Sequence, residues 1–191
     1  MSSKLIGLNT LVLNSNYMPI NMVPMETIPV EDAITRVFNG TCHVVENFDR
    51  KIKTADRNMD LYWPAVIARN DSKTVKTQVK MTDENLYYRD HGLCQYCHKE
   101  ITMKETTFDH VNPKSKGGVL SWTNAVCACG PCNSKKDNLP PVGIWKPRRM
   151  PFKPTYHQLL EARKKFPLSI DHESWLNYIP KWEAEVKIRY A

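Results

Sequence analysis

Cys94-Gln95-Tyr96-Cys97 and Cys129-Gly130-Pro131-Cys132 bracket a segment that holds Thr107-Phe108-Asp109-His110-Val111 and Asn124, with Asn133 directly after the second pair. Each pair places two thiols on one tight turn, and two such turns closing one loop match the four-cysteine set of a tetrahedral structural zinc site. A thioredoxin-like redox motif needs one pair on a βαβ unit, so the second pair favours Zn2+ over redox chemistry. A secreted disulfide scaffold would be shorter, with cysteines spread along it. Cys127-Ala-Cys129 offers another register, but only Cys129 and Cys132 repeat the two-residue gap of Cys94 and Cys97. Cys42 and Cys127 are then spare thiols, buried as small hydrophobes. His98, beside Cys97, is the alternative ligand and reads as a solvent-exposed histidine.

The chain has 191 residues, enough for one decorated domain or two small units with an ordinary core. Its start, Met1-Ser-Ser-Lys-Leu-Ile-Gly-Leu-Asn9, has no long apolar stretch ahead of a small-residue cleavage site, and no later run approaches a membrane span. A soluble, cytoplasmic protein with no membrane partner is expected. The net charge is +7. Lys135, Lys136, Lys146, Arg148, Arg149, Lys153, Arg163, Lys164 and Lys165, set against Asp137 and Glu161, account for all of it. The basicity is therefore local, it follows the second cysteine pair, and it points to a polyanionic partner. Arg163 to Lys165 alone read as a solvated helical face.

Outward from the bracket, Thr10-Leu11-Val12-Leu13 reads as a buried strand. Val30, Ala33, Ile34, Val37 and Phe38 recur at helical spacing, with Glu31 and Asp32 in the first turn and Gly40 past the end. Thr41 to Glu46 reads as a second strand. Residues 47–80 read as a connector around Leu61-Tyr62-Trp63-Pro64-Ala65-Val66-Ile67. A short helix should lead from Asn85 to Gly92, strands should cover Thr106–Val111 and Asn124–Cys127, and a helix should start near Pro131. The proline-rich stretch to Pro154 reads as an extended basic arm. A helix capped by Thr155 and closed by Pro167, and another near Asp171, should follow. The expected class is α+β: an N-terminal strand-helix-strand unit with connector (1–80), a zinc-stapled module (81–140), and a basic arm with C-terminal helices (141–191).

Within the bracket, Asp109-His110 suits phosphodiester hydrolysis. That reaction needs a deprotonated water, charge relief on the phosphate and stabilisation of the departing oxygen. Histidine titrates near neutrality and can serve as the base. A carboxylate and an asparagine amide oxygen are hard donors of the kind Mg2+ prefers.

These residues, in order, resemble the HNH endonuclease family: Cys94 and Cys97; Phe108, Asp109, His110, Val111, Pro113, Ser115, Gly117 and Gly118; Trp122 and Asn124; Cys129, Cys132, Asn133 and Lys136. The resemblance covers about residues 86–138. Val12, Leu13, Asn14, Tyr17, Pro19, Ile20 and Asn21 are similar to the N-terminal region of bacterial and phage members. A phage-encoded member would work in the host cytoplasm. The resemblance implies a ββα-metal core. His110 falls on the family's general base and Asp109 on its ligand to the catalytic ion. Asn124 falls on the residue that ties the loop and orients the histidine. Asn133 stands at the final position, often histidine, and its amide oxygen suits Mg2+ or Mn2+. In family members the module's helix lies against the DNA minor groove, which would set Lys135 and Lys136 on phosphates.

The resulting expectation is a divalent-metal-dependent endonuclease acting on double-stranded DNA, with Lys114, Lys116, Lys135, Lys136, Arg148 and Arg149 as DNA contacts and products bearing 5′ phosphates. Cutting both strands would imply a homodimer. The competing expectation is a non-catalytic zinc module that binds nucleic acid within a packaging or repair assembly. Asp109 and His110 are neighbours on a strand, where side chains alternate between faces, so sharing one phosphate would require a twist or bulge there.

Overall fold

The structure, a computed structural model, describes residues 7–52, 61–74 and 78–190. These residues form two compact units, the described parts of 1–76 with 164–191, and those of 77–163. The second unit is thus inserted into the chain of the first.

In the first unit, β1 (Asn9–Leu13), β2 (Thr27–Pro29), β3 (Cys42–Ile52) and β4 (Leu61–Arg69) make one sheet in the order β2-β1-β4-β3. β1 runs parallel to β4, and the other pairings are antiparallel. Helix α1 (Val30–Phe38) begins with Glu31 and Asp32, which favour the positive end of the helix dipole, and Gly40 follows it with φ +67°. Its face packs Ala33, with Val37 alongside, onto Val12, Ile20, Cys42 and Ile67. Cys42 is a core residue here, as its sequence context suggests.

The stretch expected to be a connector contains the sheet's second interior strand. Its proline argued against a central strand. The β3–β4 ladder absorbs Pro64 through register shifts between Val44 and Lys51, while the β1 pairing begins only at Val66. Trp63 to Ala68 are buried, so a continuous apolar run replaces the alternation that marks a half-exposed strand.

The C-terminal part of this unit also departs from expectation. The helix expected near Asp171 is a short 3-10 turn (Glu173–Asn177), flanked by β7 (Leu168–Ile170) and β8 (Val186–Ile188), which pair in parallel. Trp175 is buried, and its indole N–H donates to the Ala65 carbonyl at 2.8 Å. Asp171 is fully enclosed; its carboxylate accepts from the Asn9 N–H at 2.8 Å and from Arg189 Nε at 2.5 Å. Burial with partners, more than periodicity, sets these three-residue strands.

The second unit has the expected ββα order: β5 (Thr106–His110), β6 (Ala125–Cys129) and α3 (Gly130–Lys136), preceded by α2 (Asp83–Arg89) and followed by α4 (Tyr156–Arg163). Thr82 Oγ1 caps α2 by accepting from Asn85 N at 3.2 Å. Thr155 and Gln158 exchange side-chain and backbone bonds at the start of α4. That helix ends at Arg163, ahead of Phe166. The β5–β6 ladder runs without interruption from Thr106↔Cys129 to His110↔Ala125, so the irregularity expected at Asp109-His110 is absent. No helix among the described residues is long and apolar enough to cross a membrane.

Candidate nuclease centre and zinc knuckle

Three chain segments bring the four thiols together. The turn after Gly92 presents Cys94 and Cys97, the end of β6 presents Cys129, and the first turn of α3 presents Cys132. Gln95 N donates to the Cys127 carbonyl at 2.9 Å, which staples the first turn onto β6. The four Sγ atoms lie within 4.8 Å of one another, and Cys97 Sγ stands 3.8 Å from Cys129 Sγ. Thiolates 2.3 Å from a tetrahedral zinc stand about 3.8 Å apart, so the donor set fits Zn2+. All six cysteines are free thiols. Burial pushes the Cys94 thiol up, but backbone N–H groups of Cys97, Cys129 and Tyr96 outweigh it and bring it down to about 7. Cys127 lies apart from this group; burial and then the nearby Asp90 carboxylate push its thiol up, making it inert. His98 is exposed and outside the cluster.

The hairpin packs against α3. Asp109 is 6 % exposed, and two donors act on its Oδ2: the Tyr96 hydroxyl and Lys136 Nζ, the latter at 2.8 Å. Lys136 is wholly buried and also donates to the His110 carbonyl at 2.8 Å. This corrects the expectation for Lys136, whose ammonium neutralises a carboxylate inside the module instead of reaching a phosphate at the surface. A buried charge must be paired, and the final residue of a short helix packed on β5 is placed to do it. Burial and the Asp109 contact push the Tyr96 hydroxyl far up, so it stays a donor.

Asn124 acts on the loop. Its Oδ1 accepts from Asn112 N at 2.7 Å, and its Nδ2 donates to the carbonyls of Asn112 (3.1 Å) and Val119 (3.0 Å). Its backbone carbonyl accepts from Val111 N at 2.8 Å, so it follows the dyad closely without a bond to the His110 ring. Gly118 completes this knot, since a Cβ there would meet the Asn112 carbonyl oxygen at 1.8 Å. Asn133 Nδ2 donates to Thr107 Oγ1 at 3.0 Å, which turns the amide with respect to β5 and leaves its oxygen as an acceptor.

Asp109, His110 and Asn133 all line one cleft of about 340 Å³, together with Lys114, Ser134 and Asp137. The expected dyad and the expected exit asparagine are thus on one concave surface without a strand bulge. With Oδ2 of Asp109 engaged, the expected pair of ligands keeps two hard donors, Asp109 Oδ1 and the Asn133 amide oxygen, which fit Mg2+ or Mn2+ only if water or other oxygens of the cleft complete the shell. Among the described residues, the cysteines are the one group of three or more His, Cys, Asp or Glu side chains close enough to hold an ion together.

Lys114 is exposed at the cleft, and Lys116, Lys135, Arg148 and Arg149 are exposed as well. Two groups escaped the sequence reading. Tyr96 sits between the first two cysteines, where its aromatic ring carried no distinguishing signal. Arg89 and Asp90 form a buried fork: Nε and Nη2 of Arg89 reach the two Asp90 oxygens at 2.8 and 2.9 Å, while its other bonds go to the carbonyls of Trp122, Ala125 and Phe152. Asp90 in turn accepts from Cys127 N at 2.8 Å. This pair ties α2 to β6, and no local pattern distinguishes it from a surface Arg-Asp.

Residues 94–141 match a family model described as HNH endonuclease, about a quarter of the chain. No curated protein matches the chain. The matched segment takes in all four clustered cysteines, the ββα hairpin and helix, and the cleft residues, and nuclease action on nucleic acid is what such a module carries.

Proposed function

Because residues 94–141 carry an HNH endonuclease module, we propose that this chain is a divalent-metal-dependent endonuclease that hydrolyses phosphodiester bonds of double-stranded DNA. The observation that carries the reading is the convergence of Asp109, His110 and Asn133 on one cleft. A catalytic Mg2+ or Mn2+, held by Asp109 and Asn133, would supply charge relief at the scissile phosphate and the departing oxygen.

The chain's own groups have separate tasks. His110 removes a proton from water, whose oxygen forms the new bond to phosphorus. The bond from phosphorus to the 3′ oxygen breaks, and that oxygen takes up a proton, leaving a 3′ hydroxyl and a 5′ phosphate. Lys136 and Tyr96 hold Asp109 in place, and Asn124 with Gly118 holds the loop that starts at Asn112. Lys114 stands at the cleft as a phosphate contact, with Lys116, Lys135, Arg148 and Arg149 as further cationic contacts around it. Zn2+ on the four cysteines is scaffolding. The proposed setting is the cytoplasm of a bacterium, or of the host for a phage protein, and two-strand cutting would use two protomers.

Supercoiled plasmid incubated with zinc-loaded protein and Mg2+ or Mn2+ should be nicked or linearised, with 5′ phosphates at the ends. Cleavage that persists in His110→Ala sinks the assignment of the base. One observation favours a second reading, a non-catalytic zinc module that binds nucleic acid: Asp109 already has its charge matched by Lys136. Retained binding without any cleavage, at all concentrations of both metals, would establish that alternative.

A further inference from the structure

The arm after α3 places large apolar side chains in water beside cations. Ile144, at 79 %, is the most exposed large hydrophobic side chain among the described residues, and Val142 is 63 % exposed. Ile144 sits on a short 3-10 turn, Gly143–Trp145, which Val142 directly precedes, within a stretch that has Lys146, Arg148, Arg149 and Lys153 and no acidic residue between Asp137 and Glu161.

The backbone beneath them is fixed. The Trp145 ring packs edge-on against Tyr96, with centroids 5.8 Å apart, and Tyr96 is the residue that holds Asp109. Arg148 N donates to the Gln95 carbonyl at 2.8 Å and Arg149 N to Gln95 Oε1 at 3.3 Å. Pro147 is buried. The arm is therefore pinned to the cysteine turn by its backbone and one indole, while Val142, Ile144 and the basic side chains remain outside.

We propose that Ile144, supported by Val142, is a wedge that enters a base step of duplex DNA from the minor groove while Lys146, Arg148 and Arg149 take the flanking phosphates. The DNA partner rests on the nuclease reading above. An apolar tip with cations on its flank matches a duplex, whose stacked bases are apolar and whose edges are anionic. An acid-free basic surround opposes docking onto another basic surface, such as a second copy of this arm. Pinning the backbone in advance removes the ordering cost that a flexible arm would carry into the complex. Its consequence is a locally unstacked, kinked duplex held next to the cleft.

The test uses the zinc-loaded full chain and short duplexes tiled from a plasmid, each carrying 2-aminopurine, with Ca2+ in place of Mg2+ and Mn2+ during binding. Wild-type protein should raise the fluorescence of 2-aminopurine at a single step several-fold. Ile144→Ser should abolish that rise and raise KM for cleavage about tenfold, from the loss of roughly one stacked contact, while Ile144→Leu keeps both near wild type. Zinc content and thermal melting should be unchanged, because the side chain is exposed. An undiminished rise with Ile144→Ser overturns the wedge. An intact plasmid under Mg2+ or Mn2+, together with a normal fluorescence response, defeats the nuclease reading and leaves the wedge standing.

Discussion

Lys136 Nζ stands 2.8 Å from Asp109 Oδ2, with the lysine wholly enclosed and the aspartate nearly so. A paired charge of this kind adds little net stability over an apolar pair, but removing one partner strands the other. Lys136→Met should therefore cost about 3–5 kcal/mol in urea unfolding. The double variant Lys136→Met/Asp109→Asn should recover part of that loss. An additive result would mean the two residues do not form the pair described.

His110 is held through its backbone, by Lys136 at its carbonyl and by the ladder pairing with Ala125, and these contacts do not involve its ring. His110→Ala should lower the cleavage rate by roughly 10²–10⁴-fold, the range of a general base, with melting unchanged. Matched circular dichroism melts and single-turnover cleavage rates measure the two effects separately.

The four clustered cysteines flank the hairpin, and on the proposed reading zinc ties their turns together. Zinc analysis should find about one ion per chain, in keeping with four thiolates on one tetrahedral ion. Cys94→Ser or exhaustive chelation should disorder residues 78–163, read as lost amide protection of β5 and β6 in hydrogen exchange. A metal-free protein with full protection of that hairpin would contradict the structural role.

Arg89 donates into Asp90 and three backbone carbonyls from a fully buried position. Arg89→Met should destabilise the chain by about 3–5 kcal/mol, since Asp90 would be left charged and enclosed. Arg89→Lys should be only a partial rescue, because an ammonium lacks the planar fork.

Gly118→Ala sets a methyl group against the Asn112 carbonyl, which is backbone and cannot swing away. We expect a loss of about 1–3 kcal/mol, together with reduced cleavage as the loop at Asn112 shifts. Equal stability and activity would show that this knot yields freely.

Spacing carried the zinc set, because two-residue gaps on tight turns are a local property that any compact fold must respect. The β5, β6 and α3 elements were readable for a similar reason: each has its own strand or helix chemistry within a few residues. Leu61 to Ile67 resisted reading because an interior strand has no alternation, and its Pro64 mimics a break until register shifts in β3 take it up. β7 and β8 span three residues each, too few for any period to register.

Residue types and order alone marked out the four cysteines that the fold clusters, the Asp109-His110 pair and the location of the positive charge. Folding alone assigned partners across the chain. It turned Lys136 inward to Asp109, put Tyr96 over the same carboxylate, and made Arg89 and Asp90 a buried fork. It also brought Asn133 to the cleft of Asp109 and His110 across an unbroken strand. Ligand spacing is written in neighbouring residues, whereas a charge's partner depends on which distant segments exclude water around it.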